Sequence, residues 1–249
     1  MKKSSVLLCL CGLVFTACSL DSVTSFGGKR IQPSSNIVSK EIPLDSFDRV
    51  EVDVVAGVQF VQTVDKNCRA VLTAPDNYLD LFQLEVKNGE LDVEFVNEHV
   101  NIVAERVNLV IYAPTLHKLE NSGVANVKID KLNSKRLKVE NSGVGNMTLT
   151  GLRVGQLKAE CEGVGNIELS GQSYRAELEC SGVGKIMAEG LKANNVVGEV
   201  SGVGGITCFV TDTLQATVSG VGSLRYQGTP QVKHLNRTGV GKISSIKSE

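Results

Sequence analysis

NSGVGNMTLTGLRVGQLKAECEGVGNIELSG (141–171) contains one motif twice, twenty residues apart. Working outward from it, the motif recurs as NSGVAN (121–126), NSGVGN (141–146), CEGVGN (161–166), CSGVGK (180–185), VSGVGG (200–205), VSGVGS (218–223) and RTGVGK (237–242). Its first glycine falls at Gly123, Gly143, Gly163, Gly182, Gly202, Gly220 and Gly239, at spacings of 20, 20, 19, 20, 18 and 19. Seven copies at this period are the signature of a solenoid.

Around each glycine the pattern has period two. Leu119/Asn121, Val139/Asn141, Ala159/Cys161, Leu178/Cys180 and Gly198/Val200 lie four and two residues before it. Val127/Ile129, Met147/Leu149, Ile167/Leu169, Ile186/Ala188, Ile206/Cys208 and Leu224/Tyr226 lie four and six after it. Such alternation is a strand with one buried face. Each repeat therefore reads as strand, SGVG turn, strand. A second turn is expected near Gly151, Gly171, Gly190 and Gly228, where φ > 0 or close approach of neighbouring coils is required.

Two strands per coil of about 20 residues, all in one direction, predict a right-handed parallel β-helix, with like positions stacked about 4.8 Å apart. A left-handed hexapeptide helix would hold a strict 18-residue coil. A calcium-binding roll is disfavoured, because its nine-residue repeat and Asp ligands are missing. Val124, Val144, Val164, Val183, Val203, Val221 and Val240 are expected to form one apolar stack behind the turn.

The section before the repeats is less regular. RVEVDVVAGVQFVQT (49–63) alternates, and Ala56-Gly57-Val58 reads as a relic of SGV. LFQLEVKNGELDVEF (81–95) is two alternating runs around Asn88-Gly89, a hairpin signal. RVNLVIYAP (106–114) is a further strand. Residues 43–118 are thus a β-rich section capping the solenoid of residues 119–246, since an uncapped end is prone to association.

The chain begins with Met1-Lys2-Lys3 and an apolar run of ten, VLLCLCGLVF (6–15), too short to span a bilayer. It ends at Phe15-Thr16-Ala17-Cys18, which resembles the lipobox of bacterial lipoproteins, with Phe15 where Leu is usual. Residues 1–17 read as a signal peptide, Cys18 as the lipidated residue, and 18–42 as a flexible Ser- and Gly-containing tether. Acyl chains on Cys18 would anchor the protein to a membrane.

Twenty-six basic and 27 acidic side chains give a net charge of −1, so no electrostatic footprint for nucleic acid is expected. The chain is 42% hydrophobic, unlike a disordered one. Cys68, Cys161, Cys180 and Cys208 form no CxxC pair, which argues against zinc and thioredoxin-type readings. Cys161 and Cys180 stack at a spacing a disulfide tolerates, but with parallel Cβ vectors, so both are expected reduced. Asn121 and Asn141 head the same column and read as an asparagine ladder.

The entry KEIPLDSFDRVEVDVVAGVQFVQT (40–63) and the run of SGVG turns with following I-x-L strands together resemble the bacterial auto-transporter adhesin head GIN-domain family, over roughly residues 40–245. The resemblance implies a β-helix similar to the pectin-lyase superfold, no catalytic residues, and an adhesive role. It carries over no site residue. No heptad stalk or terminal barrel of the trimeric autotransporter kind is expected from these residues.

No catalytic constellation emerges. His99, His117 and His234 are far apart, and Asp130 and Asp212 form no recurring pair. No cofactor is implied. The best-ordered polar feature is Glu120, Glu140, Glu160, Glu179 and Glu199, a column whose neighbours would repel by about 1 kcal/mol each in a water-like dielectric. It reads either as a strip for divalent cations or a basic partner, or as a solvated face. Lys118, Lys138 and Lys158 stand two residues before the first three glutamates, whereas Glu177 and Glu179 lack such help. The expected role is structural or adhesive on the outer membrane, toward a protein or glycan ligand. The alternatives are a periplasmic sensor or scaffold binding a membrane regulator, and then a polysaccharide-active enzyme. Self-association is expected through the C-terminal coil.

Overall fold

The computed structural model describes residues 30–97, 100–103 and 106–246. Cys18, the signal segment and His99 lie outside them. The chain forms a parallel β-solenoid of about 6 turns, as the periodicity predicts. Among the described residues no helix is long and apolar enough to cross a membrane.

The strands before the repeats are β1 (Ile37–Leu44), β2 (Arg49–Asp53), β3 (Val55–Gln62), β4 (Cys68–Pro75), β5 (Phe82–Lys87), β6 (Glu90–Phe95) and β7 (Asn108–Ala113). β1 occupies the end of the segment read as a tether. β5 and β6 are the expected hairpin, with both Asn88 (φ 52°) and Gly89 (φ 78°) left-handed, as a two-residue turn between twisted strands requires. β2 and β3 form a coil that lies between two others. On one side it pairs in parallel with β6 and β7. On the other it pairs with β8 (Lys118–Asn121) and β9 (Val124–Ile129). The coil of β6 and β7 therefore lies beyond its predecessor in sequence, and the chain crosses back to resume at β8. β1 and β4 close that end as antiparallel strands, β4 against β7 and β1 against β4.

From β9 onward the coils stack in sequence order. They are β10 (Leu132–Asn141), β11 (Met147–Cys161), β12 (Val164–Cys180), β13 (Val183–Val200) and β14 (Val203–Val218), followed by β15 (Ser223–Gln227), β16 (Val232–Arg237) and β17 (Lys242–Ser245). Val139, Ala159, Leu178, Gly198 and Ala216 lie in register. So do Met147, Ile167, Ile186, Ile206 and Leu224. Column members adjust to one another: a Cβ on Gly198 would stand 2.5 Å from the Leu224 side chain, so the small residue makes room for the large one.

Each coil has three straight runs rather than the two read from the sequence. In β11 the buried positions are Met147 and Leu149, then Leu152 and Val154, then Leu157, Ala159 and Cys161. Each step of three is a corner, because period-two alternation cannot otherwise keep side chains inward. Gly151 (φ 62°) turns one such corner, and Gly171 (φ 128°) and Gly228 (φ 94°) do likewise, whereas Gly190 has no positive φ.

Candidate functional site

The SGVG turn is built by its neighbours. The carbonyl of Asn121 accepts the N–H groups of both Ser142 (3.0 Å) and Gly143 (2.9 Å) of the next coil. Asn141, Cys161, Cys180, Val200 and Val218 repeat this double acceptance. The geometry drives each first glycine against the turn below. A Cβ at Gly143 would collide with the Gly123 carbonyl oxygen, and one at Gly163 with that of Gly143. These glycines are needed for close approach rather than for a left-handed backbone.

The valine of the motif points outward, contrary to the expected buried stack. Val124, Val144, Val164, Val183 and Val203 are about half exposed, and Val240 is 86% exposed. The inward positions of the same strands are Ala125, Val127 and Ile129, so period two sends Val124 to solvent. The result is an apolar ridge along the turns. Ala56-Gly57-Val58 is also displaced from its expected match: Val55 pairs with Val124, and Gly57 with Asn126.

The five glutamates of the predicted strip are brought into one column, in register from Glu120 to Glu199. Glu51 and Asp92 extend it. Lysines interlock it. Lys118 reaches Glu120 (2.7 Å) and Glu90 (3.2 Å), Lys138 reaches Glu140 and Glu160 (both 2.6 Å), and Lys158 reaches Glu160 (2.7 Å). Lys158 also approaches Glu179 (3.3 Å) and Glu177 (3.6 Å), the two acids that lacked a partner in the sequence pattern. Burial favours a protonated Glu160, but hydrogen bonds and charge from Lys138 and Lys158 outweigh it and hold its carboxyl below the ordinary range. Glu51 has the opposite balance, raised by burial and then by Glu120. Among the described residues Glu199 has no ion pair, and no group of three or more His, Cys, Asp or Glu side chains is placed to hold a metal ion.

Inside the turns, Asn121 Nδ2 donates to Asn141 Oδ1 (2.8 Å), and Asn141 Nδ2 donates to the Gly145 carbonyl (3.0 Å). Cys161 and Cys180 continue the column, each thiol 3.4 Å from the carbonyl four residues on. Both are unbridged and buried, and Cys68 and Cys208 are too. The hydrogen bond with Cys180, together with burial, pushes the Cys161 thiol well up. Burial pushes that of Cys208, in a separate column, up to about 12. All four thiols are buried away from solvent. The two described histidines are not brought together: His117 pairs with Asp48 (3.0 Å), and His234 is exposed on β16.

One feature that net charge conceals is a basic corner. Arg153, Gln172 and Lys192 stack in one column, and Arg136, Gln156 and Arg175 in the next but two. Between them lie Gly155 and the 67%-exposed Tyr174. Two adjoining depressions of about 420 and 280 Å³ flank this row. The signal was present in the sequence as acid-free corner segments recurring at the coil period, which an overall charge of −1 averages away.

The sequence model of the family described as putative auto-transporter adhesin, head GIN domain, matches residues 46–230. A solved structure described as a putative adhesin from Bacteroides fragilis is similar at 33% identity and TM-score 0.84, covering 87% of this chain and 100% of its own. Putative adhesins from Parabacteroides distasonis and Parabacteroides merdae share the fold at 22% identity, with TM-scores of 0.69 and 0.63. Each covers 88% of this chain and 100% of its own. No curated protein matches the chain. The in-register SGVG coils and a family match over most of the chain agree: this chain belongs to the auto-transporter adhesin head GIN domain family.

Proposed function

We propose that this protein is a non-enzymatic lipoprotein of the cell envelope, held by acyl chains on Cys18, whose solenoid serves as an adhesive head. The observation that carries the reading is the set of in-register columns. The same side-chain type recurs about every 4.8 Å along a rigid face, which suits many weak, simultaneous contacts with a repetitive polymer or surface. An adhesin-like family supports an envelope or surface address. The lipobox-like Thr16-Ala17-Cys18 supports the anchor.

Protease shaving of intact cells, with blotting for the mature protein, tests the address. Loss of the protein is expected. Protection until the outer membrane is opened would move it to the periplasm and replace adhesion by the binding of an envelope partner. Cys18→Ala is expected to abolish labelling by a palmitate analogue.

Self-association through the last coil belongs to the same proposal. Among the described residues β16 pairs only with β14 and β17 only with β15, so both present unpaired backbone. All six residues of β16 are exposed. Light scattering at rising concentration should reveal a dimer or larger species, and a monomer throughout would remove the idea.

A further inference from the structure

The corner segments KLNSKR (131–136), GLRVGQLK (151–158), GQSYRA (171–176) and GLKANNV (190–196) lie on four successive coils and hold seven Lys and Arg with no Asp or Glu. Of these seven, only Lys158 makes an ion pair among the described residues. In the neighbouring glutamate column on the same coils lysines and acids interlock, whereas at this corner the remaining cations stand without acids. Stacked like charges repel, weakly at this separation, and nothing in the fold requires them.

Their placement is regular. Arg153 and Lys192 are two coils apart with Gln172 between, and Arg136 and Arg175 are two coils apart with Gln156 between. Two coils are roughly 10 Å, the scale of a disaccharide. Tyr174 stands between these columns with its ring largely in solvent. Beside it Gly155 contributes no side chain, and a Cβ there would stand 2.7 Å from the Lys135 carbonyl. Close stacking on that carbonyl keeps the position a glycine, so backbone rather than a side chain lines the 420 Å³ depression beside the ring.

We propose that this corner binds an acidic glycan. A sugar ring lies against Tyr174, and carboxylate or sulfate groups on alternating sugars meet Arg153 and Lys192 on one side and Arg136 and Arg175 on the other. Guanidinium groups suit such anions because they form paired, charge-assisted hydrogen bonds. The interleaved Gln172 and Gln156 suit sugar hydroxyls, which need both donors and acceptors. A bilayer would meet a depression poorly and would have no use for the single ring. The proposal rests on the adhesive reading and gives it a ligand class.

Binding of the purified full chain to polygalacturonate and to heparin, with neutral dextran as control, tests it. The two probes separate carboxylate from sulfate recognition. Binding to at least one, absent with dextran and weakened by salt, is expected. Arg153→Gln/Lys192→Gln should weaken it about tenfold or more and Tyr174→Ala about fivefold, with unchanged melting temperatures. Lys185→Gln, on an SGVG turn, should leave it unchanged. Failure of both acidic probes overturns the proposal, and so does equal binding by all variants. Loss of binding to phosphatidylglycerol vesicles in parallel, with no effect of Tyr174→Ala, would mark a general anionic surface and also overturns it. If the glycans fail while cells displaying the protein still adhere, the adhesive reading survives without this site. If the glycans bind through Tyr174 but cells do not adhere, the site survives and the adhesive reading falls.

Discussion

The coil of β2 and β3 and the coil that begins at β11 follow the same path, yet only the second demands glycine at its turn. Gly143 is pressed onto the Gly123 carbonyl. At the matching place in the earlier coil stands Val54, which is buried. The difference lies beneath them. Under the β11 coil is another SGVG turn. Under the β2–β3 coil is β6, which ends at Phe95, and β7 begins only at Asn108. A glycine in this motif is thus imposed by the neighbour it stacks on, not by the shape of its own turn. A coil built from ordinary residues can still support a glycine-rich successor.

The largest expected effect comes from testing that rule directly. Gly163→Ala places a methyl group against the Gly143 carbonyl, a backbone atom that cannot swing away. Its cost should be about 3–5 kcal/mol, in the range of severe overpacking. Gly57→Ala, inside β3 and away from the turn, meets the Asn108 side-chain oxygen at 3.0 Å, and that side chain can move. It should cost no more than about 1 kcal/mol. Urea midpoints of the two variants decide the matter, and equal losses would show that a backbone atom facing the added methyl is not what sets the cost.

The same contrast explains what the sequence could tell. Period and alternation made the regular coils legible, down to the buried columns and the glutamate register. The direction of the motif valine was legible too, because counting back by twos from Val127 places Val124 outside. The hydrophobic character of valine suggested the wrong face. Placing β6 and β7 beyond β2 and β3 was not legible, because no local pattern says that a chain skips a coil and returns. The three-sided coil was visible only as steps of three among inward residues, which read as irregularity until the corners were placed. The basic corner needed the stack, since its cations lie 17 to 22 residues apart along the chain.

A second comparison lies within one column. Asn121 and Asn141 occupy the inward position that Val200 and Val218 fill later. Replacing Asn141 by Val removes the acceptor of Asn121 Nδ2 and strands a fully buried amide, whose Oδ1 already lacks a partner among the described residues. The single change should cost about 2 kcal/mol, because an unsatisfied buried group bears its whole desolvation penalty. Asn121→Val/Asn141→Val removes both ends and should recover most of that loss. A double variant as weak as the single one would mean that the asparagines pack better than valine here.

The antiparallel cap should respond locally. Tyr78, at the start of β5's approach, is fully buried and donates to the Ile31 carbonyl at 2.7 Å. Tyr78→Phe should cost about 1 kcal/mol, read as faster amide exchange in β1 and β4 with the β12–β13 amides unchanged. Uniform acceleration would make cap and coils one cooperative unit.

The smallest effect concerns charge, again between the first coil and the later ones. Glu160 and Glu51 share a column, but their carboxyls shift in opposite directions. The lowered Glu160 adds stability that is complete above the unfolded value of about 4.3 and is lost as pH falls through the folded value. The raised Glu51 costs stability at neutral pH, and that cost is relieved as pH falls. Glu160→Gln should therefore melt about 2 °C below wild type at pH 7, a loss of less than about 1 kcal/mol. The gap should close as pH falls through the folded value, where the parent carboxyl is protonated as well. Glu51→Gln should melt at or slightly above wild type at pH 7, again converging in acid. Melting both variants from pH 3 to pH 7 separates the effects. A Glu160→Gln deficit as large at pH 3 as at pH 7 would mean that the residue acts by packing its stem between Lys138 and Lys158, and that the interlocked charges add nothing of their own.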